Sequence, residues 1–495
     1  MKKSLILILS ILFATVLAFL FIPSSNSYAA GMMGGNSGNG MMDNDESGHM
    51  TEHSVDLVKS TAPEKELALP PILKPDKQTK NDVYYTVTAK SGTTDFKDGG
   101  STETLGYNGT YLGPVIKIRR GQTVHIKEVN DLNENTTFHW HGAIIDGKAD
   151  GGPHDPIKPG KTKNISFKVQ QPAATLWFHP HPSGQTAKQV YKGLAGLIYV
   201  SDNTSKNLKI PKNYGVDDFP LVVQDRTFDS KNQFNYKKDY NSDGTLGENI
   251  LVNGTLNPYI NVTTKFVRLR LLNGSNARNY TFKLSNNQKM YQIAGDGSFL
   301  SKPDPIKKLT LAPAQRAEVL VDTSSIPDGE SLELVAGGIP VVTLKMQART
   351  DNIKRMPKSL LKMVTAKAGT HDVDKQTLTL SGMSKMVEIN GKQFNPDRID
   401  IHTKVGQQQV WTVKNKKQMM NMSHPFHLHG VQFRILSING HKPPLNETGY
   451  MDTVNLKPGD SVKLTFKFEK KGLYMYHCHN LEHEQNGMMG QIMVE

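Results

Sequence analysis

Three times along the chain an Asn-Gly turn is followed by a short apolar or β-branched run. These are NGTYLGPVIKI from Asn108, NGTLNPYINV from Asn253 and NGKQFNPDRIDI from Asn390. The spacings, 145 and then 137 residues, are domain-sized. Between the copies, runs such as YYTVTA, TVHIKEV, ISFKV, VRLRLL and SVKLTFKF alternate apolar and polar residues between Gly and Pro turns. That pattern predicts an all-β chain of Greek-key β-sandwich domains. Helical periodicity is weak, and residues 352–367 read as a linker with at most one short helix. The expected boundaries are 66–205, 206–365 and 366–495, each long enough to bury its own core.

What precedes residue 66 has a different character. Met1, Lys2 and Lys3, an apolar run from Leu5 to Ile22, and Ser27 to Ala30 form the three parts of a secretory signal over residues 1–30. The mature protein is therefore expected outside the cytoplasm, with an uncleaved membrane anchor as the alternative. Residues 31–65, rich in Met and Gly at their start and poor in large apolar side chains, read as a flexible tail. Five methionines there (Met32, Met33, Met41, Met42 and Met50) with His49 and His53 could collect copper or simply form a linker. The net charge of +13 is spread along the chain without an aromatic-basic stripe, so no nucleic-acid partner is expected. No feature points to a specific protein partner.

The chemistry is concentrated in the outer repeats. Four segments read His-x-His: HWHG (His139, His141), HPHP (His179, His181), HLHG (His427, His429) and HCH (His477, His479). On an extended chain, alternate residues share a face, so each segment can present two imidazoles together. Histidine is absent between His181 and His371, which leaves the middle domain as a spacer or wall. Imidazole suits copper, zinc or iron, so the pairs alone do not name the metal.

Two residues break the alternation. His424 has opposite parity to His427 and His429, and Cys478 to its flanking histidines; His483 and Met488 follow in HCHNLEHEQNGMM. Two His, one thiolate and a thioether make the ligand set of a blue-copper electron-transfer site. This also accounts for the chain's single cysteine, which has no disulfide partner in an oxidising compartment. An electron entering at a Cys478-bound copper could leave through one peptide to His477 or His479.

These segments resemble the copper motifs of the multicopper oxidases, the family of laccases, bilirubin oxidases and bacterial cuprous oxidases. The resemblance extends from about residue 66 to Glu495, and DGGP at Asp150, QPAATLWFHPH and GLAGLIYV are most similar to the cuprous oxidases. It implies three cupredoxin-like domains and four copper ions. A type 1 copper would take His424, Cys478, His483 and Met488, and a type 2 copper His139 and His427. Two type 3 coppers would share His141, His179, His181, His429, His477 and His479. Reduction of O2 to water also consumes protons, and Asp150 and Glu484 match acidic positions that supply them in similar enzymes. A turn aspartate and a solvated glutamate are the plain alternatives.

The electron donor is less constrained. Met383, Met386, Met419, Met420 and Met422 lie close in sequence to His424 or in the same repeat, and thioethers favour Cu(I), which points to oxidation of Cu(I) to Cu(II) in copper tolerance. The same methionines could be core filler. The chain departs from the cuprous oxidases in lacking a long Met- and His-rich insertion and a twin-arginine leader, which leaves room for phenolic, laccase-like donors. A catalytically silent copper-binding scaffold is the third reading.

Overall fold

The computed structural model describes residues 55–353, 355–369, 372–418 and 421–495. The segments expected to be a signal and most of the expected tail lie outside the described residues. The described strands fall into three pairs of sheets, with five and three strands in the first, six and six in the second, and five and five in the third.

Alternation builds these sheets as the sequence pattern requires. In the strand Asp82–Thr94, Val83, Tyr85, Val87 and Ala89 point inward and their neighbours outward. They meet Ile116, Leu176, Phe178 and Ile198 of the facing three-stranded sheet. In the second pair Leu221, Val267 and Leu271 pack on Ile260, Phe282 and Leu334. In the third, Leu380, Trp411 and Val413 pack on Phe426, Leu428 and Tyr474. Each buried side chain of this size contributes about 1.5–3 kcal/mol, so each sandwich holds itself together by its own core.

The repeated Asn does the same job three times. Asn108, Asn253 and Asn390 all adopt positive φ, at 55°, 51° and 53°. Their side-chain oxygens accept from the backbone N–H groups of Thr88, Val222 and Thr379 at 2.8, 2.9 and 2.7 Å. Their amides donate back to the carbonyls of Thr86, Pro220 and Thr377 at 2.9, 2.9 and 3.0 Å. Asn tolerates the left-handed region and can mimic a backbone turn, which explains the residue type.

Two differences from the sequence reading stand out. The expected tail is fixed over its last residues: Leu57 packs on the second core, Val58 N–H donates to the Glu248 carbonyl at 2.8 Å, and Lys65, continued by Glu66, pairs in parallel with the strand Pro258–Thr264. The segment covers the edge of the middle sheet, a task its polar composition did not announce. The linker near 352–367 carries no helix among its described residues; Leu360 instead docks against Phe299 and Leu300, with its N–H on the Ser301 carbonyl. Among the described residues, no helix is long and apolar enough to cross a membrane.

Candidate metal centres

The third sandwich sets up one side of the site by strand register. Within it, His424–Leu428 runs antiparallel to Gly472–Cys478, with His427 opposite His477 and Phe426 opposite Cys478. The parity expected from the sequence therefore holds: His427 and His477 share one face, His424 and Cys478 the other. The first sandwich supplies its pairs differently. His139 and His179 face each other in an isolated antiparallel bridge just beyond the strand Ala174–Phe178, so these imidazoles sit on extended chain past the strand end.

Eight imidazoles converge in the buried seam between these segments. His139, His141 and His179 form one close group, His181, His429 and His477 a second, and His139, His427 and His429 a third. His479 is buried beside them, its ring 5.2 Å from those of His141 and His179, and neither of its nitrogens has a hydrogen-bond partner.

Which nitrogen each ring turns inward follows from its outer hydrogen bond. His139 Nδ1 donates to the Asp150 carbonyl at 2.9 Å and His427 Nδ1 to the Asp452 carbonyl at 2.8 Å. Carbonyls only accept, so both Nε2 atoms carry lone pairs, yet they face each other at 3.4 Å. His477 Nδ1 donates to the Cys478 carbonyl, and its Nε2 lies 3.3 Å from His181 Nε2 and 3.0 Å from His429 Nε2. His179 Nδ1 donates to the Pro180 carbonyl and turns Nε2 toward His141 Nδ1 at 3.3 Å. His141 is reversed, its Nε2 bonded to Asp452 Oδ1 at 2.9 Å.

A proton shared between such rings is disfavoured. Burial, reinforced by the neighbouring imidazoles, holds His139 down to about 3 and His141, His179, His181, His427, His429 and His477 well below the usual range. Burial alone is the largest cause holding His479 to about 3. Neutral rings with opposed lone pairs are what a cation needs, and two nitrogens about 2 Å from one tetrahedral ion would stand roughly 3.3 Å apart. The donor set fits a bound metal cluster.

A second group lies across the strand. Cys478 Sγ is 3.6 Å from His424 Nδ1 and 3.8 Å from His483 Nδ1, all three buried. Met488 is fully buried in the same core, and its carbonyl accepts from the Cys478 N–H at 3.0 Å. Burial pushes the thiol well up. A thiolate here therefore requires a cation beside it, as a metal ligand would have.

Asp150 and Glu484 lie next to the imidazoles. Asp150 Oδ2 is 2.7 Å from His429 Nδ1, and burial raises its carboxyl to about 8, with Lys163 opposing. Glu484 spans His181 Nδ1 at 3.4 Å and His477 Nδ1 at 3.2 Å, and burial raises it well above the usual carboxylate range. A cavity of about 190 Å³, lined by His181, Thr186, Gln393, Phe394 and Glu484 among others, opens beside it.

The methionines separate. Met383 precedes and exposed Met386 ends a one-turn 3-10 helix, Ser384–Met386, and Met422 is half-buried two residues before His424. Met419 and Met420 lie outside the described residues. Ser384 donates from its N–H and hydroxyl to the Asp243 carboxylate at 2.5 and 2.8 Å, and Asp243 Oδ1 stands 4.0 Å from His483 Nε2. Sequence reasoning missed Asp243, Asp452, Arg316 and Trp177, whose ring stacks on His179 at 4.2 Å. Only WFHPH, which places Trp177 two residues before His179, carried a signal.

Comparison with known proteins agrees with this geometry. Family models described as multicopper oxidase match residues 88–205, 196–330 and 359–495. The multicopper oxidase mco of Staphylococcus aureus is 46% identical over 438 residues, covering 88% of this chain and 94% of that protein. The cell division protein FtsP of Escherichia coli is 33% identical, covering 89% and 95%. The laccase of Pediococcus acidilactici has 41% identity and a TM-score of 0.87, covering 90% and 97%. A Campylobacter jejuni multicopper oxidase described as a metallo-oxidase has 29% identity and a TM-score of 0.75, covering 88% and 96%. This chain belongs to the multicopper oxidase family and is an oxidoreductase.

Proposed function

We propose that this oxidase takes electrons from Cu(I), yielding Cu(II), and reduces O2 to water, with phenols as secondary donors. The cofactor would be four copper ions. His424, Cys478, His483 and Met488 would hold the type 1 ion and His139 with His427 the type 2 ion. The triads His141, His179, His479 and His181, His429, His477 would hold the type 3 pair. Bound copper supplies one-electron redox chemistry that no side chain here provides.

The protein's own residues do the rest. Cys478 joins the two groups covalently, since His477 and His479 are its chain neighbours. Burial raises the carboxyls of Asp150 and Glu484, each against imidazoles of the cluster, which favours their carrying protons where O2 reduction would consume them. The cavity beside Glu484 supports exchange of water with the outside.

The observation that favours a cuprous donor is the contact sequence from His483 through Asp243 to Ser384, in the turn that carries Met383 and Met386. It sets a carboxylate 4.0 Å from an imidazole of the type 1 set and ties the turn that carries the two methionines to that carboxylate. A phenol-oxidising reading is supported by the likeness to a laccase, and an extracytoplasmic location rests on the N-terminal sequence. FtsP shows that the fold also serves a protein named for cell division. All twelve ligand-type residues are kept in this chain, which favours catalysis over a silent scaffold.

The test compares the Cu(I) and phenol specificity constants of Met383→Leu/Met386→Leu with those of the parent protein. A loss of about tenfold or more for Cu(I) alone supports a cuprous donor. Parallel changes for both donors contradict it.

A further inference from the structure

The middle sandwich has no histidine, yet one of its side chains reaches the candidate cluster. Arg316 lies on the strand Arg316–Asp322 and is completely buried. Its guanidinium has five N–H donors, and the structure offers an acceptor for each. Nε donates to the Thr175 carbonyl at 3.0 Å. One terminal nitrogen donates to the Ala314 carbonyl at 3.0 Å and Asp452 Oδ1 at 2.7 Å. The other donates to the Asp296 carbonyl at 3.0 Å and Asp452 Oδ2 at 2.6 Å.

Asp452 in turn faces two candidate ligands. Its Oδ1 accepts from His141 Nε2 at 2.9 Å, and its carbonyl accepts from His427 Nδ1 at 2.8 Å. Gln432 Nε2 holds Oδ2 from the other side at 2.8 Å. The carboxylate is thus fixed by a two-pronged guanidinium contact and is the nearer of two acceptors for the His141 Nε2 hydrogen, Thr453 Oγ1 standing at 3.3 Å. With Nε2–H directed outward, Nδ1 is the lone pair that faces His179. Thr175, which takes the fifth donor, lies on the strand that leads directly into His179. One arginine therefore ties together the chain segments bearing His141, His179 and His427, which come from both outer sandwiches.

We propose that Arg316 is a positioning residue for the copper cluster. Through Asp452 it selects the His141 tautomer that turns Nδ1 inward, and it fixes His427 and the approach to His179. The inference rests on the copper reading above. It also changes the role of the middle sandwich, which becomes part of the metal site instead of a wall beside it.

The test uses full-length, copper-loaded protein and a competing copper chelator. The blue absorption of the Cys478 site and the near-ultraviolet and type 2 resonance signals of the cluster are followed separately. Arg316→Lys keeps the charge but cannot supply five planar donors. Arg268→Lys is the control, since Arg268 is buried in the same sheet and its guanidinium bonds Glu318 and the Pro211 carbonyl, neither of which bonds a histidine or Asp452. The expected result is that Arg316→Lys gives up cluster copper at about 10- to 100-fold lower chelator concentration, with the blue site unchanged. Arg268→Lys is expected to keep the parent's ratio of cluster to blue copper. Equal retention by Arg316→Lys and the parent overturns the inference, as does a parallel loss of blue and cluster copper in both variants. If the parent protein holds blue copper but no cluster copper, the copper reading itself fails, and the inference with it.

Discussion

Asp150 Oδ2 and His429 Nδ1 meet at 2.7 Å although 279 residues separate them in the chain. The same aspartate takes the Nδ1 hydrogen of His139 on its carbonyl, so it touches imidazoles from both outer sandwiches. In the metal-free site burial raises its carboxyl to about 8, and under the proposed function this would let it hold a proton where O2 reduction consumes one. Asp150→Asn keeps the shape and removes the transferable proton. Its kcat for O2 uptake is expected to fall by about 10²- to 10⁴-fold with copper content retained. Steady-state oxygen consumption together with metal analysis checks this.

Cys478→Ser separates the two metal groups. The hydroxyl cannot replace a thiolate, so the blue absorption and oxidation of both donor types are expected to disappear. The cluster side of the strand, His477 and His479, keeps its ligands and should retain copper. Absorption spectra and copper analysis on one preparation decide it.

Glu128 gives the fold a pH dependence separate from turnover. Its Oε1 accepts from Trp140 Nε1 at 2.9 Å, and burial raises its carboxyl from 4.5 to about 8. The native state therefore binds this proton more tightly than the unfolded chain does. Its contribution is full below about pH 4.5 and is lost progressively as pH rises to about 8. Glu128→Gln keeps the acceptor and removes the charge. In metal-free protein it is expected to flatten this decline and raise stability above pH 8 by on the order of a few kcal/mol. Denaturant unfolding from pH 4 to pH 9 measures the difference.

The turn asparagines offer a structural check. Asn390→Ala loses two backbone-directed hydrogen bonds and must hold φ at 53° without the local bonding that lets Asn do so. A destabilisation of about 1–3 kcal/mol is expected. The proposed blue site, at the other sheet of the same sandwich, should be unaffected in the folded protein. Thermal unfolding with and without copper tests both statements.

Strand alternation and the thrice-used Asn-Gly turn were enough to read an all-β chain. Parity alone placed His424 and Cys478 on one face and His427 and His477 on the other, because side-chain direction along a strand is a local property. What could not be read is what depends on long-range packing. Asp452 sits in an unremarkable GYMDT and Arg316 in a strand with no motif. Their importance arises only when the seam between the second and third sandwiches closes. The edge-covering role of Lys65 and Glu66 was hidden for the same reason, since nothing in a short polar segment specifies its partner strand.

The central claim is full reduction of O2 at a site fed by a separate electron entry point. The most direct test is the number of Cu(I) ions oxidised per O2 consumed by copper-loaded protein, with peroxide assayed in the same cell. Four Cu(I) per O2 with no peroxide is the predicted result. Two per O2 with peroxide released, or no O2 uptake at all, would contradict it.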